Sequence, residues 1–157
     1  MPEMVDSFGG VVRDLRVSVT DKCNFRCLYC MPEDGLPWLA KGDVLGRDEL
    51  IRALRVAIEL GVGTVRITGG EPTLRRDLVD VVAALGALGV DLSITTNGFL
   101  MDRLAEPLRE AGLKRANISL DSLRRDRFKQ ITRRDALDRV LAGIDAGTTE
   151  SEFYLDT

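Results

Sequence analysis

The 157-residue chain contains no histidine. That absence excludes a Ser-His-Asp triad, a Cys-His dyad, a histidine general base and any imidazole-ligated metal. No apolar run approaches the length needed to cross a bilayer, and no signal-peptide pattern opens the sequence, so a cytoplasmic location without membrane association is expected. Charge of one sign is also lacking. Lys plus Arg number 22 against 25 Asp plus Glu, for a net charge of −3, which disfavours a broad nucleic-acid footprint but leaves arginines free to meet small anions. Cysteine is scarce, and all three, Cys23, Cys27 and Cys30, fall in one short segment. An odd number so closely spaced closes no useful disulfide loop. In a reducing compartment such thiols read as metal ligands.

What remains is the composition of a globular domain, 45% hydrophobic and 30% charged, long enough for one core. Short strand-like runs alternate with helix-like ones. Strands are predicted at Leu15 to Thr20, Thr64 to Thr68, Leu92 to Thr95 and Ala116 to Leu120. Helices are predicted from Asp48 to Leu60, stopped by Gly61, and from Asp77 to Leu88, stopped by Gly89. A weaker helix, Leu104 to Ala111, contains Pro107, which should kink or shorten it. More helix is expected between Arg124 and Ala146, with Leu137, Val140, Leu141 and Ile144 in phase. Strand–helix repetition of this kind implies an α/β fold with a parallel sheet built by βα crossovers.

Parallel strands covered on both faces should be continuously apolar. Here Arg16, Ser18 and Thr20 alternate with Leu15, Val17 and Val19, Arg66 and Thr68 with Val65 and Ile67, Ser93 and Thr95 with Leu92 and Ile94, and Asn117 and Ser119 with Ile118 and Leu120. Each strand therefore has one apolar and one polar face. About four βα units forming part of a TIM-like partial barrel with a polar, ligand-filled lumen fit this pattern best. An open sheet with one solvated face is the simpler alternative. Residues 1–146 are expected to form this domain, and 147–157 an irregular or disordered tail.

Cys23-Asn24-Phe25-Arg26-Cys27-Leu28-Tyr29-Cys30 is a C-x3-C-x2-C loop directly after the first strand. Three thiolates so spaced can hold three irons of an iron–sulfur cube and leave the fourth open to a small molecule. A structural zinc site would need a fourth ligand, which neither cysteine nor histidine supplies here, although a carboxylate could.

The loop resembles the signature of the radical S-adenosylmethionine (SAM) enzymes. Asp14 to Cys23, Arg66-Ile67-Thr68-Gly69-Gly70-Glu71-Pro72, Thr95-Thr96-Asn97-Gly98 and Asn117-Ile118-Ser119-Leu120-Asp121 resemble, in order and spacing, the GTP 3′,8-cyclase branch that begins molybdenum cofactor biosynthesis. The resemblance runs from about Phe8 to Ala146. It implies a [4Fe-4S] cluster on Cys23, Cys27 and Cys30, SAM contacts at Tyr29, Gly70 and Ser119, and GTP contacts at Arg16, Arg66 and Thr95. An arginine fork suits phosphate oxygens, although Arg16 could instead pair with Asp14 or Asp21, and Arg66 with Glu71. The implied chemistry is radical: SAM on the open iron is cleaved by one electron, a hydrogen leaves the ribose C3′ of GTP, and C3′ joins guanine C8. The implied rearrangement uses no acid–base triad, in keeping with a cofactor that carries the hard chemistry. The resemblance further implies a one-electron donor such as flavodoxin and, for the full-length family, a homodimer.

The branch also carries a second cysteine triplet, a substrate lysine and a Gly-Gly tail beyond the matched region, so this sequence is expected to be its truncated N-terminal part. Another radical SAM enzyme, such as a peptide-modifying maturase, would share the cysteine loop and the Gly-Gly-Glu-Pro turn. An inactive iron–sulfur-binding fragment is the non-catalytic alternative.

Overall fold

The structure, a computed structural model, describes residues 3–148. Four strands, β1 (Asp14–Ser18), β2 (Thr64–Thr68), β3 (Asp91–Thr96) and β4 (Arg115–Ile118), form one parallel sheet in the order β1-β2-β3-β4. Between them run α1 (Arg47–Glu59), α2 (Leu78–Gly86) and α3 (Met101–Glu110), and α4 (Arg125–Thr132) and α5 (Leu137–Thr148) follow β4. Each strand is thus joined to its neighbour through a helix, as parallel pairing requires.

The apolar faces of the strands make the core. Val65, Ile67, Leu92 and Ile94 are fully buried beside Leu78, Val81, Val82 and Leu85 of α2 and Met101 and Leu108 of α3. Removing each such side chain from water contributes about 1.5–3 kcal/mol. Leu50 and Leu54 bring the apolar side of α1 to the same core. Its first turn is held by the Glu49 carboxylate, which accepts from the Gly46 amide at 2.9 Å.

Three expectations are refined by this packing. Pro107 lies inside α3 and does not shorten it, because Met101, Ala105 and Leu108 are anchored in the core on both sides of the missing amide. The helical stretch after β4 is two helices, broken at Arg133, whose φ of 54° makes it the one non-glycine residue with positive φ among those described. That backbone state costs an L-residue about 1–2 kcal/mol. The last helix also continues through Gly147 and Thr148, and the rest of the expected tail, 149–157, lies outside the described residues.

The polar faces line up in register. Arg16 sits beside Arg66, Arg66 beside Ser93, and Ser93 beside Arg115, so one row across the sheet carries three guanidiniums. Partners in a parallel ladder share a face, and the row therefore lies wholly on the side away from the apolar core.

Gly143 is where α5 crosses α3. A Cβ there would strike the Gly98 carbonyl and come 3.1 Å from the Met101 Cβ. Gly143→Ala should lower the free energy of unfolding by about 1–3 kcal/mol through overpacking, read as a shift in the urea midpoint. An unchanged midpoint would show that the helix pair has slack at this crossing.

Candidate functional site

Strand direction places four loops together at the carboxyl edge of the sheet, where open α/β folds and barrels carry their chemistry. The cysteine loop follows β1, Gly69-Gly70-Glu71-Pro72 follows β2, Thr96-Asn97-Gly98 closes β3, and Ser119-Leu120-Asp121 follows β4.

The cysteine loop is pinned by Phe25, which is buried edge-on against Phe99 and Phe128 at centroid distances of 6.1 and 5.9 Å. Beside it the Arg26 guanidinium donates to the Cys23 and Phe25 carbonyls, both at 2.8 Å, and lies over the Trp38 ring. A turn in which the Cys30 amide donates to the Cys27 carbonyl then presents the last cysteine to solvent. All three thiols are free, with Cys23 and Cys27 half-buried and Cys30 exposed. Burial pushes the Cys23 thiol up, aided by the charge of Glu71 and only partly offset by the hydrogen bond from the Phe25 amide. Burial likewise raises Cys27, against a hydrogen bond from Tyr29. Tyr29 holds its own proton tightly, through burial first and then through donation to the Asp121 carboxylate at 3.2 Å. That bond ties the loop after β1 to the loop after β4.

The Gly-Gly turn is drawn against the base of the cysteine loop. The Gly70 amide donates to the Thr20 carbonyl and the Glu71 amide to the Lys22 carbonyl, both at 2.7 Å. A Cβ on Gly69 would stand 2.5 Å from the Thr20 carbonyl oxygen, and one on Gly70 would run into the Asp21 and Lys22 carbonyls. The missing side chains serve this contact between two backbones. Behind the turn Glu71 is 1% exposed. Its carboxylate accepts from the Thr73 amide (3.1 Å), the Thr73 hydroxyl (2.5 Å), the Thr96 hydroxyl (2.6 Å) and the Asn97 amide (2.7 Å). Asn97 then donates through Nδ2 to Asn24 Oδ1 at 2.8 Å, so one chain of bonds joins β2, β3 and the cysteine loop.

Arg16 and Arg66 are exposed on the polar face, and neither forms an ion pair with a carboxylate among the described residues. Of the anticipated partners, Asp21 accepts from the Leu39 amide, Glu71 is enclosed by its own donors, and Asp14 forms no ion pair with Arg16 among the described residues. Thr95 is half-buried, and Ser119 is exposed just past β4, its amide extending the ladder to the Thr96 carbonyl. Between Arg66 and Arg115, Ser93 is 1% exposed, with a hydroxyl that finds no partner among the described residues.

The donor set suits an iron–sulfur cube better than a single ion. No three Cys, Asp or Glu side chains of the described residues gather around one ion-sized position, whereas a tetrahedral zinc with bonds of about 2.3 Å needs its sulfurs in mutual contact. A cube takes each thiolate on a different iron and tolerates a wider spread.

Comparison with known proteins agrees. Residues 17–147 match the Radical SAM superfamily, and the chain belongs to that family. Membership brings its cofactor pair, a [4Fe-4S] cluster and SAM, and makes the four βα units part of the family's TIM-like partial barrel. Within it, the chain is 52% identical over 146 residues to GTP 3′,8-cyclase of Listeria monocytogenes, covering 92% of this chain and 44% of that protein. It is 51% identical over 144 residues to Molybdenum cofactor biosynthesis protein 1 of Drosophila melanogaster, covering 90% and 26%. The chain thus spans less than half the length of these relatives. Among solved structures, Streptococcus suis SuiB bound to S-adenosylmethionine superposes with a TM-score of 0.67 at 24% identity, covering 86% of this chain and 30% of that one. BtrN in complex with AdoMet and 2-DOIA gives 0.56 at 19%, covering 83% and 52%.

Two members of the site escape a reading of the sequence alone. Arg115 completes the arginine row and donates to Asp91 at 2.7 Å. Its phase with Asn117 and Ser119 is the signal in the sequence that agrees with the strand beginning at Arg115 and not at Ala116. Glu71 reads as part of a turn, since burial of a carboxylate leaves no mark in a local pattern.

Glu71→Gln should cost about 1–3 kcal/mol, because a Gln amide turns donors toward backbone amides that have no other acceptor. Urea denaturation checks this, and wild-type stability would show that the buried carboxylate is dispensable. In the metal-free chain, iodoacetamide at pH 8 should alkylate Cys30 before Cys23 and Cys27, since burial slows access and keeps those thiols protonated. Peptide mass spectrometry gives the order.

Proposed function

We propose that the chain is the N-terminal part of a cytoplasmic GTP 3′,8-cyclase, with residues 1–146 contributing the N-terminal part of its radical SAM core domain. The observation that carries the substrate assignment is the in-register pair Arg16 and Arg66, exposed on the polar face without a carboxylate partner among the described residues. Identity of about half the residues to the cyclases across nearly all of this chain supports the same reading.

In this assignment Cys23, Cys27 and Cys30 hold the cluster, Tyr29, Gly70 and Ser119 border SAM, and Arg16, Arg66 and Thr95 hold GTP. When bound, the cluster and SAM supply the one-electron chemistry that removes hydrogen from the ribose C3′, after which C3′ bonds to guanine C8. The chain's own residues bind and orient. The two guanidiniums offer paired charge-assisted donors to triphosphate oxygens, and the half-buried Thr95 hydroxyl adds a short-range donor and acceptor on the same face. The bond between Tyr29 and Asp121 spans the mouth and holds the loops after β1 and β4 at a fixed separation. Electrons come from a low-potential carrier of the flavodoxin class, and the complete enzyme assembles as a homodimer. A different radical SAM enzyme would keep the cysteine loop and the glycine turn but would have no need of two unpartnered arginines facing one lumen.

Anaerobic titration of the reconstituted chain with GTP and with guanosine separates these readings. GTP should bind and guanosine should not. Arg16→Ala and Arg66→Ala should each weaken GTP about ten- to a hundredfold, the worth of a hydrogen bond to a charged group. Equal affinity for GTP and guanosine, or arginine variants that bind as wild type does, would remove the substrate assignment.

A further inference from the structure

Arg133 sits where the sequence ought to have glycine. It ends α4 with φ 54° and ψ 26°, the left-handed state in which a helix commonly closes on Gly or Asn because a Cβ is unwelcome there. If stopping the helix were its whole task, the side chain would be a liability. The side chain is therefore the part to explain.

Its guanidinium is half-buried and turned toward the cysteine loop. Nη1 donates to the carbonyl of Arg26 at 3.3 Å and to that of Met31 at 3.5 Å. Arg26 immediately precedes Cys27, and Met31 immediately follows Cys30. One planar group thus bridges the two ends of the segment bearing two of the three cysteines, while its Nε lies 4.0 Å from the Glu33 carboxylate. The neighbouring residues act on the same loop. The Arg26 and Leu28 amides donate to the Thr132 and Ile131 carbonyls at 3.1 and 2.9 Å, and Arg134 Nε donates to the Asn24 carbonyl at 3.0 Å. The last carbonyls of α4, which no helical amide can reach, are satisfied by the loop.

We propose that Arg133 is a positioning residue that clamps the cysteine loop to the end of α4, and that its left-handed backbone is what aims the guanidinium across the loop's two ends. Both carbonyls are met by Nη1 alone, so a lysine ammonium can replace the arginine only in part, because it lacks the Nε donor that faces Glu33. The inference rests on the cluster assignment of the cysteines only for what the clamp serves. The clamp itself is present in the protein alone.

The test uses the 157-residue chain as it stands, with Arg133→Gly, Arg133→Asn and Arg133→Lys. Glycine and asparagine suit the left-handed backbone, so metal-free Arg133→Gly should unfold at or above the wild-type temperature. Its loop amides at 27–31 should nevertheless exchange hydrogen faster than wild type, while amides of β2 and β3 stay unchanged. After anaerobic reconstitution, iron should pass to a chelator on the order of tenfold faster in Arg133→Gly and Arg133→Asn, as when other outer-shell partners of metal ligands are removed. Arg133→Lys should fall between them and wild type. Wild-type loop exchange in metal-free Arg133→Gly would overturn the clamp, as would wild-type iron release from a chain that holds its cluster. A wild-type chain that takes up no iron and sulfide would sink the cluster assignment instead, with loop exchange still deciding the clamp.

Discussion

A carboxylate taken out of water must be met by donors or lose its charge, and Glu71 is met on every side. Two backbone amides and two threonine hydroxyls converge on it from the turn after β2 and from the end of β3. Backbone amides cannot rotate away, so the carboxylate fixes how far the two loops stand apart. Because Asn97 passes the constraint on to Asn24, the start of the cysteine loop is referenced to the same anchor. The glycine turn adds a second reference: it lies flat on the Thr20 and Lys22 carbonyls, a contact that any side chain at 69 or 70 would block. Connecting loops are ordinarily the least constrained part of a domain. Here they are bound to one another by the protein's own groups.

The polar face obeys a different logic. Its arginines cannot be buried without partners, and the sheet leaves Arg16 and Arg66 exposed while Arg115 takes Asp91. These two guanidiniums, without a carboxylate partner among the described residues, lie on the two strands that carry the cysteine loop and the glycine turn at their ends. A polyanion on this face would therefore be held within the barrel wall and directed toward the cysteine loop and the glycine turn. Such placement would act by binding and orientation.

Periodicity made much of this legible. The alternation in Thr64–Thr68 marks β2 to the residue, and the same parity assigns Arg16 and Arg66 to one face. The cysteine spacing points to an open cluster because it contains its own count of ligands. Local pattern failed where a long-range contact decided the outcome. Pro107 should weaken α3, yet core burial on both sides of it carries the helix through. The fourth strand seemed to begin at Ala116, because an arginine at a strand start looks like loop until its partner Asp91 is seen on the neighbouring strand.

Arg133 is the extreme of that failure and shows its cause. Rules for helix ends concern the backbone, and by them a glycine or asparagine is expected where α4 stops. An arginine there breaks the local preference, and no neighbour in sequence accounts for it. The account lies about a hundred residues away, at the Arg26 and Met31 carbonyls on either side of two cysteines. Disagreement between local preference and observed residue tends to mark positions where something other than local stability set the choice. In this chain the disagreement falls beside the loop that carries the three cysteines, so the departure from the helix-end rule leads to the same site as the cysteine spacing.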